Sequence, residues 1–318
     1  MDQFIEGARK EGVVRANIMT TLGEKGAQRL TQALNKKYGL DLKMEYTPTA
    51  NMSQVVAQAM TELKTGGTPS WDILNGTPMH FVQMNEQGML DTFDWQQAFP
   101  DVPKELVYYG GASLSYGITY RLPTYNPNLV KPADVPRKWE DLVDPKWKGK
   151  LAVHSDTQTW ERLVELWGEE RVATLMEGLA KQDPILVALP QVLTRITSGE
   201  YPLAPYVLSS DLLLAQGRGE PVRFAEDVEP ALGSSYLLTL PKKALHPNAA
   251  KLFIAFSLSA EGQNIWWEEA RYGSSFIPQS PLAQLLKGKQ VFFNTLEFER
   301  SLDSSRLKER FQKILGLK

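Results

Sequence analysis

The stretch PYVLSSDLLLAQGRG, Pro205 to Gly219, follows a run that reads as a buried strand and sets two adjacent serines at the mouth of a short apolar helix. Ser209 or Ser210 there could cap the helix by accepting a hydrogen bond from a first-turn amide. The same hydroxyls, beside exposed amides and the positive end of a helix dipole, could instead hold an anion. Hydroxyl-bearing loops at expected helix starts recur along the chain: Thr20-Thr21, Thr49 to Ser53 with Asn51, Gly76-Thr77, and Ser155 to Thr159 with Thr157. Each loop taken singly is explained by capping. Their agreement is what points to an oxygen-rich anion or a polar organic acid.

Other chemistry-bearing residues form weaker patterns. Asp156 and Asp211 follow expected strands, where each could face a ligand amine or simply sit as a first-turn acid. Trp160, Trp266 and Trp267 could stack on a ligand, although helical packing explains them without one. His80, His154 and His246 are far apart and form no metal-binding spacing, and the absence of cysteine excludes thiolate chemistry. No phosphate-binding glycine loop, dinucleotide fingerprint or GxSxG elbow occurs. No base with an orienting partner stands beside a nucleophile, so neither catalysis nor a resident cofactor or metal is expected.

The elements that must position these loops are read from periodicity. VVRANIM is a strand, Gly23 to Lys37 a helix with Ala27, Leu30 and Leu34 on one face, and Leu40 to Tyr46 a half-exposed strand. A helix from Met52 to Lys64 ends at Gly66-Gly67, WDILN is the next strand, and Pro78 opens another helix. LSYGITY, Leu114 to Tyr120, leads away from this first region. There KGKLAVH reads as a strand, SDTQTWERLVELW as a capped helix and PLAPYVL as a strand, and SSYLLTLP returns to the first region with Ser235 near its head. This βα alternation argues for parallel sheets flanked by helices.

With 318 residues, 42% hydrophobic and 23% charged, the chain can bury two sizeable cores. A net charge of −2 gives no basic footprint, so nucleic acid is not an expected partner. No apolar run approaches the roughly 20 residues of a membrane span. MDQFIEGARKEG already reads as an amphipathic helix, so for an exported protein the signal would have been removed ahead of it.

WEDLVDPKWKGKLAV (Trp139 to Val153), TSGEYPLAPYVLSS (Thr197 to Ser210) and HPNAAKLFIAFSLSAEGQ (His246 to Gln263) resemble successive signatures of extracellular solute-binding proteins of ABC importers. ARKEGVV and GGTPSWDILNG fit the same pattern, and the nearest branch is the ferric-iron-binding one. The resemblance implies an α/β two-lobe periplasmic-binding-protein-like type II fold, each lobe a mostly parallel sheet flanked by helices, joined by crossing hinge strands. Residues 1–116 form the first lobe, 117–235 the second, and 236–276 the return to the first. Residues 277–318 are expected as C-terminal helices packing on the second lobe. It further implies a monomeric, non-catalytic receptor outside the cytoplasmic membrane that hands a small-molecule ligand to an ABC importer permease.

In the iron-binding branch, the segment after GE and a short strand ends in adjacent tyrosines whose phenolates bind ferric ion. The resemblance lays Ser209 and Ser210 on those positions, and neutral hydroxyls are poor ligands for a hard trivalent cation. Iron would then need non-tyrosine ligation, or Tyr206 or Tyr236 swinging in. The expected ligand set is Thr20, Thr21, Thr49, Asn51, Thr77, Asp156, Thr157, Thr159, Tyr206, Ser209, Ser210 and Ser235. Iron binding by other ligands, and an enzyme or sensor on the same fold, stand as the alternatives.

Overall fold

In the computed structural model, which describes residues 1–49 and 51–317, the first strand, Val13–Met19, buries Val14, Ala16 and Ile18. It pairs in parallel with Lys43–Thr49 in a register running from Val13↔Lys43 to Met19↔Thr49. The helix Gly23–Tyr38 makes the crossover, burying Ala27, Leu30 and Leu34, and stops at Gly39 in the left-handed conformation at φ 63°. The second strand starts later than its alternation suggests. The Asn35 amide takes both backbone groups of Leu42, accepting from its N–H at 3.0 Å and donating to its carbonyl at 2.9 Å, which withholds them from pairing.

The helix Met52–Lys64 has the expected bounds, and Asn51 caps it by accepting from the Gln54 amide at 3.0 Å. Ala50, part of the TPTANMS segment read as a loop from the sequence, lies outside the described residues. Ile73 bridges in parallel to Ala16, and Leu74–Gly76 pairs antiparallel with the end of the strand Ala231–Thr239. That strand neighbours Ser113–Arg121, which pairs antiparallel with Val107–Tyr108. Pairing is thus parallel where the crossover helix connects Val13–Met19 to Lys43–Thr49, and antiparallel where Leu74–Gly76 and Val107–Tyr108 join the long strands. Its core gathers Ile18, Leu30, Leu238, Phe253 and Trp266.

The chain divides into two compact units: Met1–Thr119 with Ser234–Lys287, and Tyr120–Gly233 with Gly288–Lys318. The crossings fall inside the long strands Ser113–Arg121 and Ala231–Thr239 and after Lys287, where the sequence reading placed them after 116, 235 and 276. Residues 277–287 therefore go with the first unit rather than the second. The physical reason is local: Ser280 Oγ donates to the Ser274 carbonyl, and Leu282 is fully buried against Gly273.

In the second unit, Ala152–His154 pairs in parallel with Ile185–Val187, and Leu151 bridges in parallel to Leu203. Leu203–Ala204 then pairs antiparallel with Thr124–Tyr125, which pairs with Arg223–Phe224. Only two residues of PLAPYVL form strand. Pro202 and Pro205 flank them and lack the N–H that a longer ladder needs.

Candidate functional site

Two strands of the second unit point their carboxyl ends the same way because Leu151 and Leu203 are parallel partners. Each feeds a helix: Ala152–His154 leads to Gln158–Trp167, and Leu203–Ala204 leads to Ser209–Gly217. Helix starts must therefore meet beyond one sheet edge, the place where open α/β sheets bind ligands. The side chains show the meeting. Tyr206 packs edge-on against Trp160 at 5.7 Å and against the His154 ring at 6.2 Å, and its hydroxyl is 3.4 Å from His154 Nδ1.

The paired serines do not cap their own helix. Leu208 is the N-cap, Ser209 and Ser210 are the first two helical residues, and the first intrahelical bond runs from Leu212 N–H to the Leu208 carbonyl at 3.0 Å. Ser209 Oγ instead accepts from the Tyr120 amide at 3.1 Å, anchoring the strand that enters this unit to the helix start. Both serines are fully buried. Ser210 Oγ makes no hydrogen bond of good geometry; the neighbouring Asp211 carboxyl is the polar group close enough to feel it. The amides of Ser209, Ser210 and Asp211 precede the first intrahelical bond and carry the positive end of the helix dipole.

One residue after Tyr120 comes Arg121, which the sequence reading did not single out. Its guanidinium pulls down the pKa values of three groups around the helix start: the Tyr206 phenol, the Asp211 carboxyl and the His154 imidazole. Burial nevertheless dominates each of them. It pushes Tyr206 up to about 12 and Asp211 above the usual carboxylate range, and it holds His154 below the ordinary histidine value. The fixed positive charge of this cluster is thus Arg121 and not a histidinium. The signal in the sequence is a basic residue directly after the strand-like run LSYGITY.

The other expected residues of this unit divide. Thr159 hydrogen-bonds the Tyr206 phenol and belongs to the cluster. Thr157 is fully buried and donates to Glu161 Oε1 at 2.8 Å, so its hydroxyl is used inside the fold. Asp156 is exposed and accepts from the Gln158 amide at 2.8 Å, as a helix-start acid does. Tyr206 is 2% exposed and held by His154 and Thr159, and burial opposes a phenolate there. Tyr236 packs edge-on against Tyr272 at 5.0 Å.

In the first unit, Thr20 Oγ1 donates to the Thr49 carbonyl at 2.9 Å, joining the ends of two parallel strands, while Thr21 beside it is exposed. Thr49 Oγ1 is buried without a hydrogen-bond partner, and Asn51 is spent as a cap. Thr77 meets His80, with Thr77 Oγ1 at 2.8 Å from Nδ1 and the Thr77 amide donating to the same atom at 3.2 Å. Ser235 belongs to this unit and not to the second; its Oγ accepts from the Tyr108 hydroxyl at 3.4 Å. Among the described residues no group of three or more metal-binding side chains converges, and no helix is long and apolar enough to cross a membrane.

The sequence profile of the bacterial extracellular solute-binding proteins matches residues 68–298. An uncharacterized protein of Haemophilus influenzae is 29% identical over 147 residues, which are 43% of this chain and 41% of that protein, so the chain spans less than half the length of this curated relative. Three solved structures share the fold. Iron-bound HitA from Pseudomonas aeruginosa is 18% identical with a TM-score of 0.72, over 96% of this chain and 99% of that one. AfuA from Actinobacillus pleuropneumoniae, with fructose-6-phosphate bound, is 21% identical with a TM-score of 0.73, over 96% and 98%. IdiA (FutA) of Trichodesmium, in complex with iron and citrate, is 18% identical with a TM-score of 0.73, over 96% and 100%. With the fold of periplasmic substrate-binding proteins of ABC transporters and a profile match across most of its length, the chain belongs to the bacterial extracellular solute-binding proteins.

Proposed function

We propose that this chain is the substrate-binding receptor of an ABC importer, taking up a small oxygen-rich anion or polar organic acid outside the cytoplasmic membrane and delivering it to a permease. The observation that carries the reading is the start of the helix Ser209–Gly217. It presents buried hydroxyls and first-turn amides next to the Arg121 guanidinium, at the position that the sequence resemblance assigns to the tyrosines of the iron-binding branch. A bare ferric ion would meet the Arg121 cation and neutral hydroxyls there, with Asp211 as a single carboxyl. An anion would meet donors, each charge-assisted bond contributing about 1.5–3 kcal/mol, so a few of them support micromolar binding after association costs.

Native mass spectrometry of freshly purified protein, followed by denaturation, identifies any carried ligand. Calorimetric titration with phosphorylated compounds, carboxylates, sugars and ferric citrate then ranks the classes. We expect an acid to bind the wild type and Arg121→Gln to weaken it at least tenfold. Stabilisation by ferric ion alone, or an acid that binds Arg121→Gln as well as wild type, overturns the reading. Turnover of the bound compound would overturn the assignment as a receptor without catalysis.

A further inference from the structure

We propose that the free edge of the strand Lys43–Thr49 is a docking site for an extended, basic segment of another protein, which joins the sheet as one further strand at Met44 and Tyr46. The proposal goes beyond the receptor reading and needs nothing from it. Among the described residues Lys43–Thr49 pairs with Val13–Met19 and with no other strand. The Lys43 N–H donates to the Gly12 carbonyl at 3.1 Å, so in the register Val13↔Lys43 the backbone groups of Lys43, Glu45 and Thr47 face that partner. Those of Leu42, Met44, Tyr46 and Pro48 therefore face outward. The chain closes this outward row at both ends, because the Asn35 amide takes both groups of Leu42 and Pro48 has no N–H. Between these ends, Met44 and Tyr46 each present an N–H and a carbonyl to which no strand is paired. Such an edge binds extended peptides by strand addition.

The surroundings say what kind of segment fits. A groove of about 580 Å³ lies between this edge and the helix Gly23–Tyr38, lined by Glu24, Gln28, Asn35 and Asp41 as well as by Met44 and Tyr46. Alternate side chains of an added strand point into it. The exposed acids Glu24, Asp41 and Glu45 stand there against the single base Lys43, so a segment carrying Lys or Arg is complementary. A second copy of the chain is not. The antiparallel register that joins all four open groups sets Met44 against Tyr46 and hence Glu45 against Glu45, and like charges directly opposite destabilise a strand pair. Setting Met44 against Met44 instead brings Tyr46 to Leu42, whose groups Asn35 already holds. Lys43, Glu45 and Pro48 thus blunt the edge against its own kind, as exposed edges require. That protection accounts for the polar side chains and leaves the acid-rimmed groove beside the two open residues to be explained by a partner.

The test is an NMR titration of the full chain with the basic peptide Ac-TKVRVKT-NH2 and its acidic counterpart Ac-TEVEVET-NH2. We expect the basic peptide to shift the amide resonances of Met44 and Tyr46 saturably and the acidic one to bind at least tenfold more weakly. Met44→Pro removes an outward N–H without touching the ladder to Val13–Met19, and it should weaken the basic peptide about fivefold, the worth of one hydrogen bond. Glu45→Lys, a change at an exposed position, should weaken it at least threefold and is read even where Met44→Pro loses the native circular dichroism spectrum. The absence of a saturable shift, equal binding of the two peptides, or shifts that leave Met44 and Tyr46 unmoved overturns the proposal. Unchanged binding by Glu45→Lys and a natively folded Met44→Pro overturns it as well. Shifts of these two amides that depend on protein concentration without peptide would make a second copy the occupant and overturn the choice of partner.

Discussion

The Tyr120 amide donates to Ser209 Oγ at 3.1 Å, and both groups are buried. Ser209 and Ser210, adjacent in sequence and alike in chemistry, therefore have different duties. Ser209→Ala would orphan a buried amide and destabilise the fold by about 1–3 kcal/mol. Ser210→Ala removes a hydroxyl without a well-formed bond, so its stability cost is within about 0.5 kcal/mol while acid binding weakens at least tenfold. Urea denaturation and ligand titration on the two single variants separate these effects. A Ser210→Ala variant that binds as wild type counts against the site.

His154 is held below the ordinary histidine value chiefly by burial, with Arg121 adding to the depression and Asp156 opposing it. Its NMR titration midpoint should fall below about 6.5. Arg121→Gln should raise that midpoint and Asp156→Asn should lower it further. Because the folded value is depressed, the neutral ring's contribution to stability is full above the unfolded value and declines as pH falls through the folded one. A midpoint above the ordinary value would contradict the placement of Arg121.

Asp72 is fully buried and receives the Arg15 amide and guanidinium, His246 Nδ1 and the amides of Leu245 and His246. Burial raises its pKa, but the bonds from Arg15 and His246 outweigh that and leave it lowered. The stabilisation is thus present above the unfolded carboxylate value, near about 3.9, and is lost as pH falls through the folded value. Asp72→Asn should cost about 3–5 kcal/mol at pH 7, as removal of one partner of a buried ion pair does. The gap between wild type and variant, read by urea denaturation, should shrink at pH 3. A constant gap would refute the assignment.

The last helix, Ser304–Ile314, is clamped through Glu169, which accepts Arg306 bidentately at 2.7 and 2.8 Å and Arg310 at 2.5 Å. The two guanidiniums hold the Glu169 carboxyl at about 2. The group faces solvent, so screening limits the effect, and Glu169→Gln should cost only about 0.5–1 kcal/mol. The stabilisation is complete above the unfolded glutamate value and fades as pH falls toward the folded one. Hydrogen exchange in this helix should quicken in Glu169→Gln and, for wild type, in high salt. Exchange that is indifferent to both would show the clamp to be idle.

Local signals carried far in this chain. Helical periodicity and an Asn cap gave Met52–Lys64 its observed bounds, because capping and burial of Val56 and Met60 act within one turn or one face. Strand edges were less legible. Asn35 delays the second strand by a side-chain bond across a helix end, and two prolines shorten the strand before Ser209. The hydroxyl-rich loops were readable by residue type, but their duties were not: Thr157 turns inward to Glu161, Asn51 caps its helix, and Ser235 lies in the other unit.

By itself the sequence determined the α/β class, the family and the positions of the helix starts, because apolar period, turn residues and signature order are properties of neighbours along the chain. Only the tertiary structure decided that Ser209 holds Tyr120, that Ser210 lies buried beside the Asp211 carboxyl, and that Arg121 adds positive charge to the cluster. Those relationships depend on the parallel pairing of Leu151 with Leu203 and on a strand arriving from far upstream. Hydrogen bonds and charge interactions act over distances in space, which spacing in sequence does not encode.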